Sequence, residues 1–160
     1  MASFDVCFDW TMGFEDPERE CLTIPDAPPG AFAISGINSH AFPTDFATIN
    51  SIARAQRFPS VKRFYQVHFW NSYFAQLASD EVAKRVFDAA VNMGPGIAVR
   101  LLQEAIPTQV DCAWGIITLG AANNCDEAVL VKAFRTVRAD YYRKIGNPKY
   151  IAGWPKRAEA

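Results

Sequence analysis

At 160 residues, half of them hydrophobic and 21% charged, the chain has the size and make-up of one soluble globular domain, 1–160, able to bury a core without staples. A formal net charge of −1 lacks the basic excess of a nucleic-acid binder, so nucleic acid is not expected as a partner. No run of about 18 apolar residues exists to span a membrane. The segment Met1 to Trp10 carries Asp5 and Asp9 and has neither the basic nor the apolar region of a secretory signal. The chain is therefore expected to fold in a cytoplasm, as a monomer, without stable membrane insertion.

Phe4, Phe8, Thr11 and Phe14, with Cys7 between, recur at helical spacing and predict a first helix over 3–14. Pro17 disfavours helical geometry at Asp16, so the helix should stop near Glu15. From Asp16 to Pro43 the chain is broken by Pro17, Pro25, Pro28, Pro29, Gly30 and Gly36. An irregular flap is expected over 16–43, with Ala31–Ile34 as a strand-like piece. Thr44 or Asp45 can cap the next helix, through Phe46, Ile49 and Ile52, and Ser60 a further one through Val61, Phe64, Tyr65, His68 and Phe69. Ser79 or Asp80 caps a helix whose apolar face is Val82, Val86, Ala90 and Met93. Gly94-Pro95-Gly96 ends that helix and starts another carrying Ala98, Leu101 and Leu102. Trp114 to Ala122 reads as a short helix. Asp126 caps a long one ending at Gly146, and an irregular tail is expected from Asn147 to Ala160.

Glu15 is the first residue with chemical interest. A helix C-terminus carries partial negative charge, which disfavours an ionised carboxylate there, and Trp10 and Phe14 can exclude water from it. A glycosidase acid has to hold its proton near neutral pH. An ordinary exposed Glu at a helix end fits the same position. The four cysteines form no CxxC pair, and only two histidines exist, so neither a zinc site nor any cofactor is expected. Free thiols are expected. In an oxidising compartment Cys7–Cys21 and Cys112–Cys125 are the pairs to test first. The stretch from Arg135, with Arg138, Arg143, Lys144, Lys149, Lys156 and Arg157, reads as a solvated basic face or as an attraction for an anionic polymer.

The segment Phe87-Asp88-Ala89-Ala90-Val91-Asn92-Met93-Gly94-Pro95-Gly96, followed by Leu101-Leu102-Gln103, resembles glycoside hydrolase family 108, a family of lysozyme-like N-acetylmuramidases of phage endolysin and secretion-activator type. Phe64 to Trp70 resembles the family's Tyr-Arg-x-x-Tyr-Trp helix. Phe134 to Trp154 resembles its C-terminal aromatic segment, which makes 105–158 similar to the family's peptidoglycan-binding part. The resemblance implies a mainly α, lysozyme-like multi-helix domain with a small β or loop flap after the first helix. It places the family's catalytic acid on Glu15, after Gly13-Phe14. Asp16 and Pro17 stand where the family has two glycines. In the flap Asp26, Gly30, Gly36 and Ile37 are kept, but Ala33 replaces a Thr.

The implied reaction is hydrolysis of the β-1,4 bond between N-acetylmuramic acid and N-acetylglucosamine, with Glu15 as general acid. Asp26 aligns with the family's Asp and is the first candidate for a second carboxylate, ahead of Glu20 and Glu18. It can equally cap a turn in a Pro-rich loop. Inverting enzymes place the two carboxyls roughly 6.5–9.5 Å apart and retaining ones about 5–5.5 Å apart. Asn92 can contact an N-acetyl group or satisfy the helix end at Gly94. Tyr65, Trp70, Tyr73 and Phe32 can stack on sugar rings, although aromatics at helical spacing also build cores. The expected partner is the glycan strand of bacterial peptidoglycan. It would be reached in the periplasm after holin- or secretion-assisted release from the cytoplasm of the bacterial host. The alternative is a non-catalytic peptidoglycan-binding or structural protein on the same fold.

Overall fold

The structure, a computed structural model, describes residues 1–146 and 154–160. The chain divides into two units, Phe8–Trp70 and Met1–Cys7 with Asn71–Ala160. Helix α1 (Phe4–Glu15) begins in the second of these and ends in the first. The fold is mainly α and lysozyme-like, with a three-stranded antiparallel flap after α1.

In the unit Phe8–Trp70, α1 buries Phe8, Thr11 and Met12, the i, i+3, i+4 set of one helical face. Phe14, expected on that stripe, is 37% exposed, and Met12 fills the core instead. The helix closes with Asp16 N donating to Met12 O (2.9 Å), and Pro17 follows. The flap is β1 (Thr23–Asp26), β2 (Ala31–Ile34) and β3 (Ile37–Asn38), in that order across the sheet. Thr23 pairs with Ile34 and Asp26 with Ala31, while Ile34 pairs with Ile37. Ala31, Ala33, Ile34 and Ile37 turn inward.

Helix α2 (Pro43–Ser51) starts at Pro43 rather than at Thr44 or Asp45. Proline suits the first helical turn because its missing N–H has no intrahelical partner there anyway. The same effect starts α3 (Phe58–His68) two residues before Ser60, with Pro59 in its first turn. Between them Arg57 is almost buried. Its guanidinium donates to Ile52 O, Asn50 O and Oδ1, Thr23 Oγ1 and Cys21 O at 2.9–3.1 Å. One planar cation thus joins the α2–α3 link to the start of the flap.

In the other unit, α4 (Ser72–Gln76) is a short helix whose N-cap Asn71 accepts from Tyr73 N and Phe74 N. Ser79 caps α5 (Asp80–Met93) by accepting from Val82 N, as its position predicts. Gly94 (φ 91°, ψ 150°) then turns the chain into α6 (Pro95–Ala105). Helix α5 packs on α6 and α8, and buries Val82, Val86, Phe87 and Ala90. Gln103 is buried and donates to Asp111 Oδ1, Ala113 O and Thr118 Oγ1 while accepting from Asp111 N and Cys112 N. It thereby ties the loop after α6 to α7 (Ile116–Asn123). Asp126 caps α8 (Glu127–Ile145), and Gly146 ends it in the left-handed conformation.

The tail differs from expectation over Trp154–Glu159, which forms α9 against α8. Its anchors are Ala158, which is buried, and Arg157, which reaches Asp88. Such tertiary contacts leave no local sequence signature. Residues 147–153, with Lys149 and the start of the expected irregular tail, lie outside the described residues.

Candidate active site

Glu15 is the last residue of α1 and is half-buried. Its carboxyl lies over the turn that links β2 to β3. A Cβ built on Gly36 would meet Glu15 Oε2 and Tyr65 Oη each at 2.6 Å, and Glu15 Cδ at 3.0 Å. Only glycine leaves room at that point, and its φ of +82° is one that side-chain-bearing residues rarely adopt. Ser35 before it also has a positive φ, 46°. Two successive residues of this kind make the tight link of an antiparallel hairpin.

The turn is held from two sides. Tyr65 donates its hydroxyl hydrogen to Ser35 O at 2.7 Å, and Ser35 Oγ donates to Asp16 Oδ2 at 2.6 Å. Asp16 also accepts from Glu20 N (3.1 Å) and Cys21 N (2.9 Å). Partial burial pushes the Asp16 carboxyl up, but the hydrogen bonds from Ser35, Cys21 and Glu20 together outweigh it and hold the group below the usual carboxylate range. Burial raises the neighbouring Cys21 thiol.

Tyr65, a candidate sugar platform, has its ring buried against Phe8, Phe64 and Phe69. No ring face is open for stacking, and its hydroxyl, near Glu15, is buried and bonded to Ser35 O. Trp70 is half-buried just beyond α3. Phe32, on β2, is 45% exposed. Trp10 and Phe14 pack edge-to-face on each other at 5.0 Å. His68 is exposed at the end of α3, where its ring lies 4.4 Å from that of Phe64 and Nε2 is 3.2 Å from Asp45 Oδ2.

Asp26 is exposed at the end of β1. Oδ1 accepts from Ala27 N and Oδ2 from Asn38 Nδ2, each at 2.8 Å. Asn38 also donates to Ala27 O and accepts from His40 N and Ala41 N. Both Asp26 oxygens are thus engaged in fastening the β1–β2 turn to β3. Ala33, where the resemblance implies a Thr, is buried on β2 and brings no hydroxyl. Glu18 and Glu20 are exposed.

Asn92 and Tyr73 belong to the other unit. Tyr73, expected at an exposed helix end, is half-buried and meets Trp114 edge-on at 5.9 Å. Asn92 Oδ1 accepts from Tyr142 Oη at 2.8 Å, and Tyr142 Oη in turn accepts from Arg138 Nε and Nη2. A guanidinium can only donate, so the Tyr142 hydrogen is directed to Asn92 and fixes which way its amide faces. Burial raises the Tyr142 hydroxyl, with Arg138 acting against it. Asp88 beneath them is fully buried and bonded to Arg138 Nη2 and to Arg157. The basic stretch is therefore not one solvated face. Arg138 and Arg157 neutralise Asp88, while Arg143 and Lys144 are exposed.

The residues missed from sequence are Asp16, Ser35 and Gln103. Asp16 was visible only as a departure from Gly-Gly, and Gln103 as part of the Leu-Leu-Gln motif. All four cysteines are free. Burial, reinforced by the charge of Asp80 and opposed by Lys84, pushes Cys7 up to about 12.

Comparison with known proteins agrees with this architecture. The Glycosyl hydrolase 108 model matches residues 26–94, and the Predicted Peptidoglycan domain model matches 97–159. Glu15 lies before the first matched stretch. The solved structure of Brucella abortus SagA is similar with a TM-score of 0.71, covering 98% of this chain and 89% of that one at 18% identity. No curated protein sequence matches the chain. The two family models match in succession, so residues 26–94 are similar to glycosyl hydrolase family 108 and residues 97–159 to a peptidoglycan domain, a likeness that supports glycoside hydrolase activity on peptidoglycan.

Proposed function

We propose that the protein is a muramidase that cleaves the β-1,4 bond from N-acetylmuramic acid to N-acetylglucosamine, with Glu15 as general acid. The observation that carries this reading is the packing of the Glu15 carboxyl at the end of α1 over Gly36 and beside the Tyr65 hydroxyl. Protonated Glu15 gives its hydrogen to the glycosidic oxygen. The C1–O bond breaks and its electron pair stays on that oxygen, while water adds its hydroxyl to C1 of the other sugar and gives its remaining proton to a carboxylate, Asp26 on this reading, from which solvent returns a proton to Glu15. On this reading the enzyme works on the periplasmic cell wall.

Asp26 is the second carboxylate of the proposal. Its hydrogen bonds to Ala27 N and Asn38 Nδ2 fix the flap, and an Asp26→Asn variant separates that duty from catalysis. Loss of turnover with an unchanged unfolding midpoint assigns it to the reaction. Loss of both assigns it to the flap.

Trp70 is proposed to contact the glycan in the unit that carries Glu15, and Asn92, oriented by Tyr142, and Tyr73 are proposed as sugar contacts of the unit that carries them.

A second reading is favoured by Ala33, whose buried methyl replaces a hydroxyl in the flap: a peptidoglycan-binding protein without turnover. Borohydride reduction of the digestion products decides among these. New muramitol ends support the muramidase. New N-acetylglucosaminitol ends contradict the bond assignment, and retention on peptidoglycan with no new reducing ends supports the binder.

A further inference from the structure

Gly36 and the Tyr65 hydroxyl lie near the Glu15 carboxyl, and Asp16 and Tyr65 are both bonded to Ser35 in the same turn, yet neither Asp16, Ser35 nor Tyr65 is required by the proton transfer itself. We propose that they form a positioning clamp, which sets the Glu15 carboxyl by holding the Ser35–Gly36 turn against it. The proposal rests on the reading of Glu15 as the acid.

Serine is not a residue that favours a positive φ, so its place at 46° needs a local cause. The cause is visible on both sides of the residue. Its hydroxyl is bonded to Asp16 at 2.6 Å, and its carbonyl accepts from Tyr65 at 2.7 Å. One contact fixes the side chain and the other the backbone, so the peptide leading into Gly36 has little freedom. Gly36 then closes on the carboxyl with no space for even a methyl group.

The two anchors are themselves fixed. Tyr65 stands on α3 with its ring buried, and Asp16 is bound by Glu20 N and Cys21 N. Asp16 also follows Glu15 directly in the chain. The end of the acid's own helix is thereby tied to the turn that confines the acid. Asp16-Pro17 stands where the resemblance implies two glycines. The clamp is a feature of this chain's departure from that pattern, in which a flexible pair gives way to a bonded one.

The test is steady-state hydrolysis of soluble peptidoglycan fragments by wild type, Ser35→Gly, Tyr65→Phe and Asp16→Asn, with circular dichroism as the folding control. Ser35→Gly removes the hydroxyl while glycine accepts the positive φ, so backbone strain cannot explain its loss. The clamp predicts that kcat falls about 10- to 100-fold in each variant, the size of a small misplacement of a reacting group. KM should stay within about twofold, since ground-state binding is not the target. The double variant Ser35→Gly/Tyr65→Phe should be about as slow as Ser35→Gly alone, because both release one turn. Variants whose kcat stays within about twofold of wild type overturn the proposal, as do variants that change only KM.

Glu15→Gln in the same series keeps the two readings apart. Full activity there sinks the acid assignment, whatever the clamp variants do. If wild type itself cleaves nothing, amide exchange at Gly36 and Ile37 still judges the clamp. Exchange that quickens roughly tenfold in Asp16→Asn and Tyr65→Phe supports it, and unchanged exchange contradicts it.

Discussion

Gly36 shows how much of the site depends on the absence of an atom. Gly36→Ala would put a methyl 2.6 Å from both Glu15 Oε2 and Tyr65 Oη, on a backbone at φ +82°. Either the Glu15 carboxyl or the turn has to move. Activity should fall at least about 100-fold, with a stability loss of roughly 1–3 kcal/mol, read from peptidoglycan hydrolysis and urea unfolding. Asp16 gives the site a pH signature. Its folded value lies below its ordinary 3.8, so its contribution to stability is present above that value and disappears as pH falls through the lower folded one. Urea midpoints of wild type and Asp16→Asn should differ most near neutral pH and converge in strong acid. A constant difference down to the acid limit contradicts this account. The end of α1 at Glu15 was legible because helical spacing and Pro17 both point to one place. Its setting was not legible. The Asp16–Ser35 bond joins residues nineteen positions apart through an irregular segment, and no periodicity reports such a pairing. Helical spacing also puts Tyr65 on the right face of α3 without revealing where its hydroxyl goes.

Elements were readable where their ends carry their own chemistry. Ser79, Gly94, Asp126 and Gly146 mark α5, α6 and α8, and each acts through local hydrogen bonds or backbone angles. Starts were misplaced where proline, rather than a capping hydroxyl, opens the helix, as in α2 and α3. Gly94 makes an instructive contrast with Gly36. Nothing lies within 4 Å of its would-be Cβ, but φ is +91° and ψ 150°. Gly94→Ala should therefore cost roughly 1–3 kcal/mol through backbone conformation alone. Urea unfolding reads this loss, while Glu15-dependent turnover measured well below the unfolding midpoint should be kept. A silent Gly94→Ala would mean that the α5–α6 junction relaxes without penalty.

At the scale of the whole molecule, the C-terminal part is organised by charge as well as by apolar packing. Asp88 is fully buried on α5 and is neutralised by Arg138 of α8 and Arg157 of α9. A carboxylate inside an apolar helical run announces a buried acceptor, but its two cations lie 50 and 69 residues along the chain. That distance is why Arg138 and Arg157 read as part of a solvated basic stretch. Removing the shared anion leaves two guanidiniums without compensation, so Asp88→Ala should cost about 3–5 kcal/mol in urea unfolding. A loss below roughly 1 kcal/mol would show that the network does not hold the helices together.

The account depends most on the assignment of Glu15, and its most direct test is lysis of purified peptidoglycan by wild type and Glu15→Gln at equal concentration. Wild type should clear the suspension, and Glu15→Gln, folded and still retained on the glycan, should be slower by at least about a thousandfold, as expected when a general acid is lost from an enzyme that depends on it. Equal clearing by the two proteins would contradict the central claim.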